Sequence, residues 1–190
     1  MRNVITNGIH LDDTKSSGAE RTAAKVVTQA RLMELFDYEY WTGWWVRKIP
    51  CGHCKAGERA GSIDKEGYRR IKIDGVLYYS SRLAWLYQTG SFPPPDREID
   101  HRNGRRASDR FPNLRLATDS QNQANRMVTR SSSGQKGVSF HRQKQKMKFR
   151  AKLRANGKTR HLGLFDTREA AAAAYWEAAQ QAFGRFARRG

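Results

Sequence analysis

Short runs of β-prone residues, separated by turn residues, dominate the hydrophobic pattern of this chain. The clearest two runs, 68–73 and 76–79, are joined by Asp74-Gly75. We expect a β-hairpin there, because a type I′ turn needs positive φ at both central positions. Residues 82–88 then predict a short amphipathic helix. The pattern as a whole therefore predicts the α+β fold class.

The N-terminal part is less regular. Residues 1–18 are polar and predict a loose arm, whereas apolar residues at helical spacing over 19–36 predict a short helix. We accordingly assign residues 1–35 to an arm and a helix. A Trp-rich stretch at 41–46 is typical of a strand. We expect its tryptophans to lie in the core, although aromatic side chains can also stack on bases.

The central segment predicts a strand, a loop, a strand and a helix in succession. Asp100 and His101 end the first strand, and residues 114–116 alternate as a second strand would. Thr118 and Gln121 have the capping-box pattern that starts a helix. Such a ββα unit can bring together four polar residues that are distant in sequence: Asp100, His101, Asn113 and Asn122.

These four residues suit phosphodiester hydrolysis. The reaction needs a base for the attacking water and a cation that stabilises charge on the phosphate and the leaving oxygen. An imidazole such as that of His101 can be the base near neutral pH. Asp100 and the amide of Asn122 offer the hard oxygen ligands that Mg²⁺ or Mn²⁺ prefers. A lone Asp or Asn is more often a plain turn or cap residue, but four in register favour a site.

The central segment resembles the HNH endonucleases, in particular the phage and intron-encoded nicking enzymes. The resemblance runs from about residue 35 to 126 and is carried by Trp85, Ile99-Asp100-His101, Asn103-Gly104, Asn113-Leu114-Arg115 and Ser120-Gln121-Asn122. It implies His101 as general base and Asn113 as the residue that orients His101. It also implies Asp100 and Asn122 as metal ligands. Ser81 stands where many relatives have a His, a departure that would weaken activity if that His assists at the phosphate.

Positive charge is concentrated in the last third of the chain. The sequence has 36 Lys and Arg against 18 Asp and Glu, a formal net charge of +18. Residues 126–190 alone hold 16 of the Lys and Arg and 3 of the Asp and Glu, which gives +13 of that total. Charge that only aids solubility would be spread along the chain, whereas a docking surface concentrates it. We therefore expect a polyanionic partner.

The C-terminal segment predicts a three-stranded sheet packed on one helix. The polar run 130–134 indicates a boundary between two modules. Three β-prone stretches and an Ala-rich helix follow, at 137–141, 148–154, 159–165 and 167–183. Alternation along the second strand turns Arg150, Lys152 and Arg154 away from the helix. A cationic sheet face of this kind can lie in the major groove of DNA.

The same segment resembles the plant ethylene-response-factor type of DNA-binding domain, which also occurs fused to phage HNH nucleases. The resemblance covers about 133–186 and is carried by Gly137-Val138-Ser139-Phe140, the alternation over 149–154, His161-Leu162-Gly163-Leu164-Phe165-Asp166 and the Ala-rich helix. It implies that Ser139, His141 and His161 also face DNA.

We therefore expect a phage homing-endonuclease-like protein that nicks or cleaves double-stranded DNA. Residues 36–129 would form the HNH nuclease domain, with a ββα-metal core at 98–127, and residues 130–190 the DNA-binding domain. A catalytically silent DNA-binding regulator that retains the fold is the main alternative. An RNA-binding protein is less favoured, because the strands lack RNP-like aromatic residues.

The remaining signals concern location and the two cysteines. The sequence shows no signal peptide or long apolar run, so we expect the cytoplasm of a bacterial host, no membrane and no obligate protein partner. Cys51 and Cys54 have the spacing of half a zinc site, but a second cysteine pair is absent from the sequence. We expect reduced thiols on a surface turn.

Overall fold

The computed structural model describes residues 26–127, 131–143 and 146–189. The expected arm at 1–18, the first part of the expected helix at 19–25, and residue 130 at the expected module boundary lie outside the described residues. The chain divides into two compact units, Met1–Leu116 and Ala117–Gly190. No helix within the described ranges is long and apolar enough to span a membrane.

The described part of the first unit combines two α-helices with three small sheets. In chain order its elements are α1 (Gln29–Leu35), β1 (Phe36–Tyr38), β2 (Trp45–Arg47), β3 (Ser62–Ile63), β4 (Arg69–Ile73), β5 (Val76–Tyr79), α2 (Ser80–Thr89), β6 (Glu98–His101) and β7 (Leu114–Ala117). β1 pairs with β2, β4 lies between β3 and β5, and β6 pairs with β7. The mixed helix and strand content agrees with the predicted α+β class.

The predicted hairpin at Asp74-Gly75 is confirmed. β4 and β5 pair antiparallel with Ile73 opposite Val76, and the two turn residues have φ of 47° and 86°. A short polar side chain such as that of Asp74 tolerates this left-handed conformation, and Gly75 adopts it without a steric cost. The predicted helix after the hairpin is α2, which begins directly after β5 and ends at Thr89, with Gly90 as its C-cap residue.

The core of the first unit is rich in aromatic residues. Its largest fully buried apolar side chains are Trp45, Tyr78, Phe36, Leu32, Ile71 and Leu83. The indole N–H of Trp45 donates to Ser80 Oγ at 3.0 Å, so this buried polar atom is satisfied. The core expectation is confirmed for Trp45 and wrong for Trp41. Trp41 is 74% exposed because residues 40–42 form a turn and the strand begins only at Trp45.

The second unit is a three-stranded antiparallel sheet covered by helices. Its elements are α3 (Asp119–Asn125), β8 (Val138–Gln143), β9 (Lys146–Ala155), β10 (Lys158–Phe165) and α4 (Arg168–Phe183). β9 is the central strand, and Asn156 and Gly157 form its turn to β10 with φ of 50° and 76°. The three strands and the long helix predicted for this segment are confirmed.

Small residues let α4 lie close to the sheet. Gly137 has φ of 69°, and a Cβ there would lie 2.1 Å from Cδ2 of Tyr175 on α4. No larger residue fits without displacing that ring. Val138, Ala151 and Ala171 form one buried cluster of this layer. The inner face of β9 is therefore packed against α4, as its alternation predicts.

Helix α3 packs within the second unit. Its capping box is formed, since Thr118 Oγ1 accepts from the Gln121 N–H and Gln121 Oε1 accepts from the Thr118 N–H. Ala124 lies in one buried cluster with Leu153 and Phe183. The Nζ of Lys136 donates to the carbonyls of Ala124 and Arg126 at the C-terminal end of the helix. The helix that was expected to complete the ββα unit is thus held by the C-terminal sheet and helix.

Candidate active site

Two buried side-chain pairs start from neighbouring residues at the end of β6. The Nε of Arg115, on β7, donates to Asp100 Oδ2 at 2.7 Å. His101 Nε2 lies 2.8 Å from Asp109 Oδ1. Adjacent residues of a strand point to opposite faces, so one short strand presents a carboxylate to one side and an imidazole to the other. All four side chains are buried.

Asp109 was not among the residues predicted for the site. It lies in the loop between β6 and β7, and its side chain is only 2% exposed, against 5% for His101. The other charged residues of this loop are exposed arginines: Arg102, Arg105, Arg106 and Arg110. A single acidic residue in an otherwise basic loop is the sequence signal that could have indicated it.

Asn113 organises the loop that carries Asp109. Its Nδ2 donates to the carbonyl of Ser108 at 2.7 Å and to Asn103 Oδ1 at 3.1 Å. Its Oδ1 accepts from the Asn103 N–H at 3.0 Å, and its carbonyl accepts from the Arg102 N–H. These bonds fix the residue directly before Asp109. The role that the resemblance gives Asn113, orienting His101, stays a prediction.

The β1–β2 hairpin supports Asp109 from the other side. The Tyr38 hydroxyl donates to the Asp109 carbonyl at 2.6 Å. Burial, together with the nearby charge of Asp109, raises the pKa of that hydroxyl. Gly43 has φ of 77°, and a Cβ there would lie 2.3 Å from the Arg110 nitrogen and 2.4 Å from the Asp109 carbonyl carbon. Only glycine permits this close approach.

A cationic and aromatic layer lies beside the His101–Asp109 pair. The guanidinium of Arg69 is 4.1 Å from the ring centroid of Trp44, and that of Arg59 is 4.2 Å from it. Arg69 Nε is 4.0 Å from Asp109 Oδ2, which is too far for a hydrogen bond. Burial lowers the pKa of Arg69, while the charge of Asp109 opposes that shift. Among the described residues, neither Asp109 Oδ2 nor Arg69 Nε has a hydrogen-bond partner.

The expected metal ligands lie in different units. Asp100 is in the first unit, whereas Asn122 is in the first turn of α3, in the second unit. Their shared role stays a prediction. Within residues 26–127, 131–143 and 146–189, no group of three or more His, Cys, Asp or Glu could hold a metal ion. Cys51 and Cys54 are free thiols that face each other across an isolated β-bridge.

Ser81, the departure from the family pattern, is buried in the first turn of α2. Its neighbour Arg82 is half-buried, and burial lowers the pKa of that guanidinium. A small side chain at position 81 therefore fits a packed helix start. The Ser81 side chain therefore contributes almost nothing to the exposed surface of α2.

The six residues expected to contact DNA share one face of the C-terminal sheet. Ser139 lies opposite Arg150, and His161 lies opposite Lys152. Directly paired residues of neighbouring strands share a face, and so do alternate residues of one strand. His141 therefore shares the face of Ser139, and Arg154 shares the face of Lys152. Lys152, Arg154 and His161 are exposed, whereas the other three are half-buried. The structure thus brings these residues together, although their contact with DNA stays a prediction.

Comparison with known proteins bears on the first of these two sites. No curated protein and no solved structure matches the chain significantly. Residues 78–124, however, match a family model described as HNH endonuclease. That stretch runs from the end of β5 to α3 and includes both members of the His101–Asp109 pair. The segment that holds the buried histidine is therefore similar to the HNH endonucleases.

Proposed function

We propose that this protein is a metal-dependent endonuclease that nicks or cleaves double-stranded DNA, in the manner of the phage homing endonucleases that it resembles. The observation that carries the proposal is the buried His101–Asp109 pair, inside the stretch that matches the HNH endonuclease family. A histidine whose ring is held by a buried carboxylate is suited to accept a proton from water.

In the proposed hydrolytic step, His101 acts as the general base. Its imidazole takes a proton from a water molecule while the water oxygen forms a bond to phosphorus. The bond between phosphorus and the leaving sugar oxygen then breaks, and that oxygen is protonated from solvent. Asn113 contributes by holding the loop beside His101 through Ser108 and Asn103.

The donor chemistry of Asp100 and Asn122 fits a hard divalent cation. A carboxylate and an amide oxygen are ligands that Mg²⁺ and Mn²⁺ accept. Arg115 orients the Asp100 carboxylate through a 2.7 Å hydrogen bond. A bound Mg²⁺ or Mn²⁺ would stabilise negative charge on the phosphate and the leaving oxygen.

The C-terminal sheet would position the nuclease on its substrate. Residues 130–190 would act as an ethylene-response-factor-like DNA-binding domain, and residues 36–129 as the nuclease domain. The cationic face shared by Arg150, Lys152 and Arg154 supports this role, because it is the outer face of a sheet whose inner face is packed on α4. Such a face is complementary to phosphates.

A catalytically silent DNA-binding regulator is the second candidate. The observation that favours it is Ser81, which is buried at the position where many relatives have a His. In that case the cationic sheet would bind DNA and the β6 site would not hydrolyse it.

Incubation of supercoiled plasmid with the full-length protein distinguishes the endonuclease from the silent regulator. We expect conversion to the open-circular form in Mg²⁺ and in Mn²⁺, and no conversion in chelator. Cleavage that persists in chelator would contradict the proposed metal dependence. Plasmid that is bound but stays supercoiled in both metals would support the silent regulator.

A further inference from the structure

We propose that Asp109 is a positioning residue that fixes both the ring orientation and the tautomer of His101. The inference rests on the proposed role of His101 as general base. Its geometric basis is the 2.8 Å distance between His101 Nε2 and Asp109 Oδ1, with both side chains at least nine-tenths buried.

The pairing determines which ring nitrogen carries the proton. A carboxylate only accepts hydrogen bonds, so Nε2 of His101 must donate to Asp109. In a neutral imidazole the other nitrogen, Nδ1, then holds the lone pair that can accept a proton. Asp109 therefore selects the tautomer in which Nδ1 is the base. A side chain that both donates and accepts would not make this selection.

The loop around Asp109 is fixed at three successive residues. Asn113 holds the carbonyl of Ser108, Tyr38 holds the carbonyl of Asp109, and Gly43 lies against the nitrogen of Arg110. Two of these contacts come from the β1–β2 hairpin, far away in the sequence. Such support places a short side chain at a defined distance from the imidazole, as a positioned base requires.

The environment of Asp109 is poor for a residue that serves stability alone. Its Oδ2 has no hydrogen-bond partner among the described residues, and the nearest guanidinium nitrogen, Arg69 Nε, is 4.0 Å away. A buried carboxylate that is only partly satisfied lowers stability. The isosteric amide removes the buried charge and keeps the shape of the side chain, but Arg69 loses a nearby counter-charge. Because these two effects oppose each other, we expect the stability of Asp109→Asn to stay close to that of the wild type.

The test uses the full-length protein and three variants: Asp109→Asn, His101→Ala and the matched control Asp96→Asn, whose carboxylate is exposed. Nicking of plasmid in Mg²⁺ gives kcat and KM, and thermal unfolding gives stability. We expect Asp109→Asn to lower kcat about 10²-fold, within the range that a general base contributes, with KM and Tm nearly unchanged. The control should match the wild type in all three measurements.

Nitrogen NMR of ¹⁵N-histidine-labelled protein shows which ring nitrogen of His101 carries the proton. A purely structural role of Asp109 would not change this. The chain has five histidines, and the His101→Ala spectrum assigns the signals of His101. We expect the proton on Nε2 in the wild type and a mixture of both tautomers in Asp109→Asn, because an amide can donate as well as accept.

Three outcomes would overturn the inference. The first is a wild-type kcat for Asp109→Asn, and the second is a wild-type protein in which Nδ1 of His101 carries the proton. The third is an Asp109→Asn variant that loses activity together with a lowered Tm while the tautomer of His101 stays unchanged. If the wild-type protein cleaves no DNA at all, the proposed function fails. The spectra would still decide whether Asp109 fixes the tautomer, so the two failures are distinguishable.

Discussion

The loop after β6 and the outer face of the C-terminal sheet both present charged residues, but in opposite ways. In the loop, Asp109 is buried and paired with His101 at the end of β6. On the sheet, Lys152 and Arg154 are exposed. Burial of a charge is costly unless it is paired, so a buried pair fixes geometry. Exposed cations can instead approach phosphates and release condensed counterions. The contrast suits chemistry at one site and docking at the other.

Removal of the cation that faces the buried Asp100 carboxylate should have the largest effect on the folded state, because the carboxylate stays charged and buried. Arg115→Met removes the guanidinium that pairs with the buried Asp100, and we expect the free energy of unfolding to fall by about 3–5 kcal/mol. The matched control is Arg97→Met, which breaks an exposed pair with Asp96 and should cost at most about 1 kcal/mol. Urea unfolding of both full-length variants measures the difference. Equal losses would remove the energetic distinction between the two kinds of pair.

Removal of exposed sheet cations should change DNA affinity and leave stability nearly unchanged. Each phosphate that a cation neutralises contributes a slope of roughly −0.9 to log affinity against log salt. The double variant Lys152→Ala/Arg154→Ala should therefore bind with a slope shallower by about two units. Binding titrations across a salt series test this, with unfolding curves as the control. An unchanged slope would move the docking surface away from this face.

The smallest predicted effect is a pH dependence at Lys136, which lies beside the end of α3. Burial, followed by the charge of Arg188, lowers the pKa of its amine from 10.5 to about 8. Between these values the unfolded chain binds more protons than the folded chain, so the free energy of unfolding should rise as pH increases from about 8 to 10.5. Because Lys136 is only half-buried, we expect a rise of about 1 kcal/mol. Unfolding of the wild type and Lys136→Met across this pH range should show this rise as a difference between the two proteins, because other titrating groups such as Tyr175 contribute equally to both.

The local elements were predictable because their signals are local. Asp74-Gly75 and Asn156-Gly157 indicate turns through their tolerance of positive φ, and both have it. The capping box of Thr118 and Gln121 correctly indicated where α3 begins. These signals say where an element starts or ends. They do not say what it packs against, which is why the packing of α3 on the C-terminal sheet and helix was not foreseen.

The sequence marks Asp109 as the acidic residue of a basic loop, but its position beside His101 could not be predicted, for the same reason. Its burial depends on Tyr38, which is 71 positions away, and on the close approach of Gly43. Nothing in the polar loop sequence indicates either contact. Trp41 shows the opposite case. It was expected in the core because tryptophan is usually buried there, but it lies on an exposed turn.

The most direct test of the proposed hydrolytic role of His101 is the single-turnover rate of plasmid nicking in Mg²⁺. We compare the wild type, His101→Ala and the control His53→Ala, whose side chain is exposed on the turn between Cys51 and Cys54. The account predicts a rate about 10²- to 10⁴-fold lower for His101→Ala at nearly unchanged DNA affinity, and a wild-type rate for His53→Ala. A wild-type rate for His101→Ala would contradict it.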